Sequence, residues 1–305
     1  MVYRMNKIVI PAGVSAVFEP FIYSDPFFSG ARGCGVGVEG AVEVSLDIRR
    51  SERLVVVNYI NGKLVEGGIG KITTESFFEI LNIEPNYHIE IHQKIRVPIG
   101  CGFGTSAASA LGIIFLLSRA LKVPLSLVQI GDIAHVAEIK ARTGLGTVSG
   151  MIFLGDVVIV SRPGAPSQCL VDRILLDCDD IYVVLASKGK KETAVALRDK
   201  SLIEKASMYG KLAVDELIRN PTVKNFFRVS MFFAEKTGLL VKEIALLIDE
   251  LNKVAIGAAQ AMIGDSIFAL VYKEDVNDVK MIIEEKLGVR AFVGKLVRSG
   301  FCIFK

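Results

Sequence analysis

The first third of the chain shows the alternation of apolar and polar residues that is typical of β-strands. Four segments carry this alternation or a run of β-branched residues, and we predict strands at 7–10, 41–49, 53–60 and 87–97. Asn61 and Gly62 follow the third segment and supply a turn signal. One helix is predicted among these strands, at 73–81. This part of the chain is therefore expected to be rich in strands.

The middle of the chain changes to helical spacing. Small and apolar residues predict a helix at 105–120, and a second helix is predicted at 126–143, ending at Gly144. The segments predicted after it are a loop at 145–150, two strands within 151–161 separated by Gly155 and Asp156, a loop at 162–166 and a strand at 181–186. We place a domain boundary near 175–187, because the character of the sequence changes there.

The last third is mainly helical at its start. The pattern is helical from 190 to 250, with breaks at Asn220 and Pro221 and at Gly238. The elements predicted after it are a helix that ends at Ala261, a turn at 263–266, a strand at 267–272, a helix at 276–286 and a strand at 291–295. We therefore predict an α+β fold with two domains, 1–178 and 179–305. No low-complexity linker separates them, so they are expected to pack closely.

Composition narrows the class of protein. A chain of 305 residues is long enough for two domains with their own cores. The net charge is +3, and basic residues do not cluster among aromatic ones, which argues against nucleic acid as the main partner. The longest apolar run, at 111–117, is much shorter than the roughly 20 residues that span a membrane. Because the N-terminus also lacks the hydrophobic stretch of a signal peptide, we expect a soluble cytoplasmic protein.

The cysteines and histidines argue against several kinds of site. The five cysteines are scattered without a C-x-x-C pair, so neither a disulfide framework nor a zinc site is predicted. Cys101 has no neighbouring histidine, and a small side chain in a tight turn explains it better than a nucleophile does. The three histidines, His88, His92 and His135, are not accompanied by a G-x-S-x-G elbow, so a serine hydrolase is disfavoured.

Two well-known nucleotide-binding motifs are incomplete in this chain. Gly35, Gly37 and Gly40 fit the G-x-G-x-x-G fingerprint, but a strand pattern follows them where a dinucleotide site requires a helix. Gly104 is followed by Thr105 rather than by a lysine, so the Walker motif is also absent. Neither a Rossmann site nor a P-loop is therefore predicted.

The glycine-rich run at 98–112 is the strongest functional signal in the chain. Gly100, Gly102 and Gly104 allow backbone conformations that are closed to residues with a Cβ atom, and the helix predicted at 105–120 follows directly. A glycine loop before a helix directs several backbone N–H groups, together with the positive end of the helix dipole, at one point. Such a point is suited to a phosphate group.

Two hydroxyls stand at the start of the same helix. Thr105 and Ser106 can cap the helix, contact a phosphate or reach a magnesium ion. The alternative is a glycine turn, capped by one of these side chains, before a buried helix. Spacing alone leaves both interpretations open.

The glycine loop resembles the second signature of the GHMP kinases (galactokinase, homoserine kinase, mevalonate kinase and phosphomevalonate kinase), which is written Pro-x-x-x-Gly-Leu-x-Ser-Ser-Ala. The matching positions are Pro98, Gly102, Ser106 and Ala107, with conservative replacements at Phe103 and Thr105. The segment 11–19 resembles the first signature of the family, and 261–269 corresponds to the third. The three segments have the family's spacing, so the resemblance covers nearly the whole chain.

Within this family the sequence is most similar to the archaeal members that phosphorylate pantoate. The stretches 11–20, 30–33 and 141–146 carry the similarity, and 162–166 and 220–226 add to it. The resemblance implies a GHMP kinase fold, with an N-terminal half like domain 2 of ribosomal protein S5 and a ferredoxin-like α/β C-terminal half. It also implies ATP-dependent phosphorylation of the primary hydroxyl of pantoate, giving 4-phosphopantoate on the archaeal route to coenzyme A.

The resemblance also assigns roles to single residues. The loop would wrap the phosphates of ATP, and Ser106 and Glu138 would be catalytic residues that also bind Mg²⁺. The residues assigned to ATP are Pro98, Gly100, Cys101, Gly102, Phe103, Gly104, Thr105, Ser106 and Ala107. Those assigned to the substrate are Ser15, Arg32, Arg142, Gly264 and Ser266.

Two of these assignments have plain structural alternatives. Arg32, among glycines on an expected loop, would hold the carboxylate of pantoate in a bidentate fork, with Arg142 as a second candidate. Without the resemblance, Glu138 would be read as a solvated helical glutamate. Either arginine could be an ordinary surface or packing residue, and we favour that interpretation for Arg142.

One position departs from the pattern of the pantoate-specific members. Their motif continues Thr-Gly-Leu-Gly-Asp-Val, in which the Asp is the base for the substrate hydroxyl, and this chain has Thr147 at that catalytic position. Threonine cannot act as a base near neutral pH. We interpret Asp156 as a turn residue rather than a replacement. Gly13 stands where some relatives have a lysine.

Three functions therefore stay open. The first is a working kinase without a dedicated base, which relies on ATP, magnesium and orientation; the intact loop, Ser106, Glu138 and Arg32 favour it. The second is a catalytically weakened relative that binds nucleotide or pantoate and acts through a partner. The third is a kinase of another small hydroxy acid, such as homoserine or shikimate. The sequence does not determine the oligomeric state, and a homodimer is kept as an open alternative.

Overall fold

The structure, a computed structural model, describes residues 2–4, 7–189, 198–262 and 264–298. Residues 190–197 of the predicted helical region, Ile263 of the predicted turn, and Cys302 lie outside the described residues. Within the described ranges the chain forms a sheet of eight strands and a sheet of four, each covered by helices. The predicted α+β class is confirmed.

The first sheet is built from the N-terminal half of the chain. Its strands are β1 (Val2–Arg4), β2 (Ile8–Phe21), β3 (Gly30–Arg50), β4 (Val55–Ile60), β5 (Lys63–Leu64), β6 (Tyr87–Ile95), β7 (Val157–Arg162) and β8 (Leu170–Ile174). The order is β5-β4-β6-β3-β7-β8, and β1 and β2 also pair with β3. Among these pairings only that of β4 with β6 is parallel.

The long hairpin of β2 and β3 extends far beyond the predicted strands. We expected strands only at 7–10 and 41–49, because glycines weaken a strand pattern. The structure shows why glycines stand there. A Cβ on Gly33 would overlap the carbonyl oxygen of Val17, and a Cβ on Gly35 that of Val14. The two strands can approach this closely only because both residues of β3 lack a side chain.

Four helices accompany the first sheet: α1 (Gly68–Ile80), α2 (Thr105–Ala120), α3 (Leu127–Ala141) and α4 (Thr147–Ile152). Helix α2 lies at the centre of this half and packs against β2, β3, α1, α3 and α4. Small residues let it lie close to the sheet, since a Cβ on Gly112 would come within 2.8 Å of Cγ2 of Val44. The start of α2 is thereby fixed next to the β2–β3 hairpin.

The second sheet comes from the C-terminal half. Its strands are β9 (Ile181–Gly189), β10 (Gly257–Gln260), β11 (Asp265–Tyr272) and β12 (Phe292–Lys295), in the antiparallel order β10-β11-β9-β12. The helices are α5 (Lys200–Arg219), α6 (Val223–Thr237), α7 (Lys242–Leu251) and α8 (Val276–Leu287), with a 3₁₀ turn at Lys273–Asp275. Helices α7 and α8 bury apolar residues against one face of the sheet. Phe226 of α6 packs on Phe268 from the other face. Across the described ranges, no helix has the length and apolar character needed to cross a membrane.

The two halves share one hydrophobic core, and the second half has a smaller core of its own. Val38 of β3 forms a bridge with Leu296, and the N–H of Val297 donates to the carbonyl of Gly37 (3.0 Å). Helix α5 lies on β2 so closely that a Cβ on Gly210 would overlap the backbone of the strand. Contacts from the second half therefore support the hairpin that carries much of the site described below.

Two predicted elements are wrong, for local reasons. We expected a loop and then a strand around 145–154, but 147–152 form helix α4. Gly146 has a left-handed φ of 91° and starts a helix of six residues, which is too short to show a helical period. We expected a helix up to Ala261, but 257–260 form β10. Its residues Gly-Ala-Ala-Gln carry no alternation, and pairing with β11 decides the conformation.

Candidate active site

The glycine loop is followed directly by the start of a helix. Gly100, Gly102 and Gly104 all have left-handed backbones, with φ of 76°, 78° and 59°. Gly104 is the N-cap of α2, and no side chain among the described residues caps this helix. The N–H of Ala108 donates to the carbonyl of Gly104 (3.0 Å). The three N–H groups before Ala108 have no partner within the helix and are suited to an anion.

The hydroxyls at the start of α2 take other positions than the cap. Thr105 is buried, and its carbonyl accepts a hydrogen bond from the hydroxyl of Ser109 (2.8 Å). Ser106 is partly exposed and lines the cavity beside the loop. The alternative of a turn capped by Thr105 or Ser106 is therefore not what forms.

A cavity opens between the glycine loop, the β2–β3 hairpin, the end of α3 and the start of α4. The residues assigned from the sequence that line it are Ser15, Arg32, Gly100, Gly102, Phe103, Gly104, Thr105, Ser106, Glu138 and Thr147. The structure thus brings the loop, the three catalytic candidates and two substrate candidates to one place. Elements from separate parts of the chain meet there.

The other assigned residues lie off this cavity: Pro98, Cys101, Ala107, Arg142, Gly264 and Ser266. Arg142 is exposed at the end of α3, where it has a left-handed φ of 55°. Ser266 is fully buried in β11, and its hydroxyl donates to Oγ of Ser187 (2.9 Å). Neither residue therefore lines this cavity, and their assignment to the substrate stays a prediction.

Cys101 and Gly264 support the loop from behind. The thiol of Cys101 is buried and directed at the carbonyls of Ile99 and Gly189, at 3.5 and 3.6 Å. Gly264 has a φ of 107°, and a Cβ on it would lie 3.1 Å from Cα of Cys101. Both residues therefore shape the glycine loop, which agrees with Cys101 as a small side chain in a tight turn.

Glu138 stands in the last turn of α3 with a buried carboxylate. Space for the carboxylate exists because residue 144 is a glycine: a Cβ on Gly144 would overlap Oε1 and lie 2.9 Å from Oε2. The backbone N–H of Val148 donates to the carboxylate, while Oε2 has no partner among the described residues. Burial raises the pKa of Glu138 to about 7. This environment excludes a solvated helical glutamate and suits a carboxylate that meets a cation.

Thr147, the first residue of α4, packs directly on the glycine loop. Its Cγ2 is 3.0 Å from the position that a Cβ on Gly104 would take. A Cβ on Gly13 would lie 3.5 Å from the same methyl and 2.8 Å from Cγ of Met151. A lysine at position 13, as in some relatives, would therefore need the side chain of Met151 to move. Of the described residues that line the cavity, Glu138 is the one carboxylate.

Asp156 is held away from the site, as expected for a turn residue. It has a left-handed φ of 52° just before β7, and its side chain is buried. Its Oδ1 lies 2.7 Å from Nε of Arg298, which makes an ion pair with it. Asp156 therefore ties the end of the described chain to the first sheet.

Arg32 lies in β3 and not on the loop that we expected. The pairing of β2 with β3 continues to the end of the hairpin, so Arg32 stands opposite Glu19. Nη1 of Arg32 is 2.8 Å from Oε2 of Glu19, and Nη2 is 2.5 Å from Oδ1 of Asp215 on α5. Lys211 adds a further ion pair to Asp215, at 2.9 Å. The arginine thus connects the hairpin to a helix of the second half.

The ion pairs of Arg32 do not use all of its N–H donors. Burial raises the pKa of Glu19 even though Arg32 acts to lower it, whereas hydrogen bonds from Arg32 and Lys211 hold the pKa of Asp215 below its usual value. A guanidinium has five N–H donors, and the two ion pairs use two of them. Because Arg32 also lines the cavity, its remaining donors can meet a ligand there.

Sequence reasoning missed several residues of the cavity. Met151, Val158, Val160 and Met262 line it, and Asp215 holds Arg32. The apolar ones carry no chemical signature and are indistinguishable from core residues in the sequence. Asp215 looks like any charged residue of an amphipathic helix, so no signal in the sequence could have found it.

Comparison with known proteins gives the same picture. A family model described as GHMP kinases N terminal domain matches residues 67–155, which include the glycine loop, Glu138 and Thr147. Pantoate kinase of Thermococcus kodakarensis is 30% identical over 282 residues, 92% of each chain. Pantoate kinase of Methanocaldococcus jannaschii is 30% identical over 278 residues, 91% of this chain and 97% of that one.

Solved structures agree with the sequence relatives. A structure described as a phosphotransferase related to the CoA biosynthesis pathway has a TM-score of 0.85 and 26% identity, covering 100% of this chain and 99% of that one. Homoserine kinase of Cytophaga hutchinsonii has a TM-score of 0.68 at 18% identity, covering 98% and 96%, and shares the fold. The chain therefore belongs to the GHMP kinases and, within them, to the pantoate kinase family. It is a small-molecule kinase, and the expected GHMP kinase fold is confirmed.

Proposed function

We propose that this protein transfers the γ-phosphoryl group of ATP to the primary hydroxyl of pantoate, giving 4-phosphopantoate for coenzyme A synthesis. The observation that carries the proposal is the start of α2, where residues whose N–H groups have no partner within the helix line the cavity that also holds the buried carboxylate of Glu138. The first feature suits phosphate and the second suits a cation. The pantoate kinases at 30% identity support the choice of acceptor.

Magnesium fits the oxygen donors of this cavity. Among the described residues no three acidic, histidine or cysteine side chains form a metal-binding group, so the protein alone offers few ligands. Mg²⁺ commonly takes one or two carboxylates and completes its shell with water and substrate phosphates. Oε2 of Glu138 and the hydroxyl of Ser106 would be the protein donors. When bound, the ion would neutralise charge on the phosphates of ATP.

The transfer needs positioning more than it needs a base. A bond forms from the hydroxyl oxygen of pantoate to the γ-phosphorus, and the bond from that phosphorus to its bridging oxygen breaks, so that ADP leaves. The hydroxyl proton passes to a phosphate oxygen or to water. Phosphoryl transfer proceeds through a loose transition state in which the attacking oxygen carries little new bonding. Thr147 supplies no base, and a missing base typically costs about 10² to 10⁴ in rate, which leaves measurable turnover.

The carboxylate of pantoate has a counterpart in Arg32. Two of the five donors of this arginine are used by Glu19 and Asp215, which fix the plane of the guanidinium. A planar, oriented guanidinium is well suited to a carboxylate. Ser15, on the neighbouring strand, also lines the cavity and would add a hydroxyl near the substrate.

The proposed reaction and its ligands indicate where in the cell the protein acts and which partners it binds. ATP and Mg²⁺ are available in the cytoplasm, and we place the protein there. A small hydroxy acid and a nucleotide occupy the cavity without a nucleic acid or a membrane. A homodimer is compatible with this function but is not required by it, because every residue invoked above belongs to one chain.

Purified protein tests the proposal directly. The protein is incubated with ATP, Mg²⁺ and pantoate, homoserine or shikimate in parallel, while ADP formation is followed and the product is identified by phosphorus NMR. We expect turnover with pantoate and a new phosphomonoester signal. Glu138→Gln and Ser106→Ala should each reduce the rate by at least about 10², because each removes a donor to the cation or phosphate. Ser118→Ala, a change in the same helix away from the cavity, is the control.

Other outcomes would replace the proposal. Phosphorylation of homoserine or shikimate but not pantoate would show a kinase of another hydroxy acid. Binding of ATP without turnover of any of the three acids would show a weakened relative, for which the missing acid at position 147 is the structural reason. Equal loss of activity in the Ser118→Ala control would mean that the variants act through folding.

A further inference from the structure

One wall of the cavity is apolar and has a gap of definite size. Val158 and Val160 lie two residues apart on β7, so both side chains project from the same face of the sheet. They face Gly150 of α4, on which a Cβ would lie 3.7 Å from Cγ2 of Val160 and 3.9 Å from Cγ1 of Val158. All three residues line the cavity. A methyl group therefore fits between α4 and β7 without a clash.

Strand β3, which pairs with β7, leaves the same wall uncovered. Gly33 stands opposite Val160 in the sheet, and Gly35 stands opposite Val158. Neither glycine has a side chain to cover the valines, and both line the cavity. The valines thus line the cavity with little of their surface exposed. Apolar atoms in such a place favour apolar groups of a ligand.

The wall borders the same cavity as the glycine loop and Arg32. Thr147 touches the glycine loop at the transfer end, and Gly150 follows three residues later, about 4.5 Å further along the helix. Arg32 precedes Gly33, the residue paired with Val160, and also lines the cavity. The start of α4, the arginine and the two valines thus all border one cavity.

Pantoate carries its apolar groups between two polar ends. Its C4 carries the hydroxyl to be phosphorylated, C3 carries two methyl groups, and C1 is the carboxylate. Resting on the proposed function, we infer that Val158, Val160 and Gly150 form the receptor for the two C3 methyl groups and so select pantoate over hydroxy acids that lack them. A single methylene in a hydrophobic pocket discriminates by about 10- to 200-fold, so two methyl groups can determine the substrate.

The sharpest test fills the gap. Gly150→Ala places a methyl group where a C3 methyl of pantoate is expected, and the substitution favours a helix, so the variant should fold. We measure kcat/KM with pantoate and with 2,4-dihydroxybutanoate, which is pantoate without its two methyl groups. The wild type should prefer pantoate by about tenfold or more. In Gly150→Ala the value for pantoate should fall by about tenfold while that for 2,4-dihydroxybutanoate stays the same or rises.

A second variant changes the polarity of the apolar wall and keeps the volume of the side chain. Val160→Thr keeps the shape of the side chain but sets a hydroxyl in the wall, which should reduce the preference for pantoate by about tenfold. Val157→Thr is the matched control, because Val157 is also buried on the same strand but does not line the cavity. The ratio of the two substrates within one preparation does not depend on the fraction of folded protein.

The outcomes separate the inference from the proposed function. If the wild type turns over neither acid, the proposed function fails, and the inference with it. If it phosphorylates both acids equally well, or if Gly150→Ala lowers both values together, the function stands and the methyl receptor is wrong. An equal change of preference in Val157→Thr would likewise contradict the assignment of the wall.

Discussion

The carboxylate of Glu138 occupies the space that a side chain on residue 144 would need. A Cβ on Gly144 would overlap Oε1, and the carboxylate is otherwise held by the N–H of Val148. The loop from α3 to α4 thus fixes the direction of Glu138, the one acidic group among the described residues that line the cavity. Positioning by such neighbours commonly decides how well a metal ligand works.

Gly144→Ala should therefore weaken magnesium dependence without unfolding the protein. The added methyl pushes the carboxylate out of place, and we expect the Mg²⁺ concentration for half-maximal rate to rise about tenfold or more. A magnesium titration of the steady-state rate measures this. In a Glu138→Ala background the same substitution should have little further effect, because the clash is gone. An additional loss of equal size there would show that Gly144 acts on something else.

The burial of Glu138 makes stability depend on pH. The pKa of this carboxyl is 4.5 when unperturbed and about 7 in the folded protein, so folding favours the protonated form. Without metal, stability should be full below about pH 4.5, fall as the pH rises towards 7, and stay reduced above it. The difference between these pKa values corresponds to about 3 kcal/mol.

Urea unfolding of the metal-free protein at pH 5 and pH 8 checks this prediction. Glu138→Gln imitates the protonated acid and should be more stable than the wild type at pH 8 by roughly that amount, but not at pH 5. If the difference between the two proteins is the same at both pH values, Glu138 does not titrate in this range.

Thr147→Asp tests whether the missing base limits the rate. The residue starts α4 against the glycine loop and lines the cavity, so a carboxylate there can reach the substrate hydroxyl. We expect kcat with pantoate to rise by about 10². Thr147→Asn has the shape of aspartate without its charge and should give no increase. A lower rate in both variants would mean that the site depends on threonine for its packing.

Arg32→Lys tests the binding of the substrate carboxylate. Lysine keeps the positive charge but loses the planar fork, so KM for pantoate should rise about tenfold while KM for ATP stays the same. Lys211→Met is the control, since Lys211 pairs with the same Asp215 but does not line the cavity. If that control raises KM for pantoate equally, Arg32 matters through the position of α5 and not through contact with the substrate.

The part of the site that lies in one stretch of sequence was predictable. The glycine loop, helix α2 and the helix of Glu138 follow from local spacing, because caps, glycines and helical periods act over a few residues. The position of Arg32 within a strand was not predictable, because glycines weaken the strand pattern. Only the close approach of β2 explains why glycines stand there. Likewise the apolar wall has no signature, because Val158 and Val160 look like any buried strand residues.

The ion pair of Arg32 with Asp215 can form only late in the synthesis of the chain. The two residues are 183 positions apart, whereas Arg32 and Glu19 are only 13 apart. At ordinary rates of translation, Asp215 is made on the order of 10 to 40 seconds after Arg32. During that interval the hairpin can form its first charge pair but not its second. The substrate end of the cavity is therefore completed late, after the ribosome has synthesised α5.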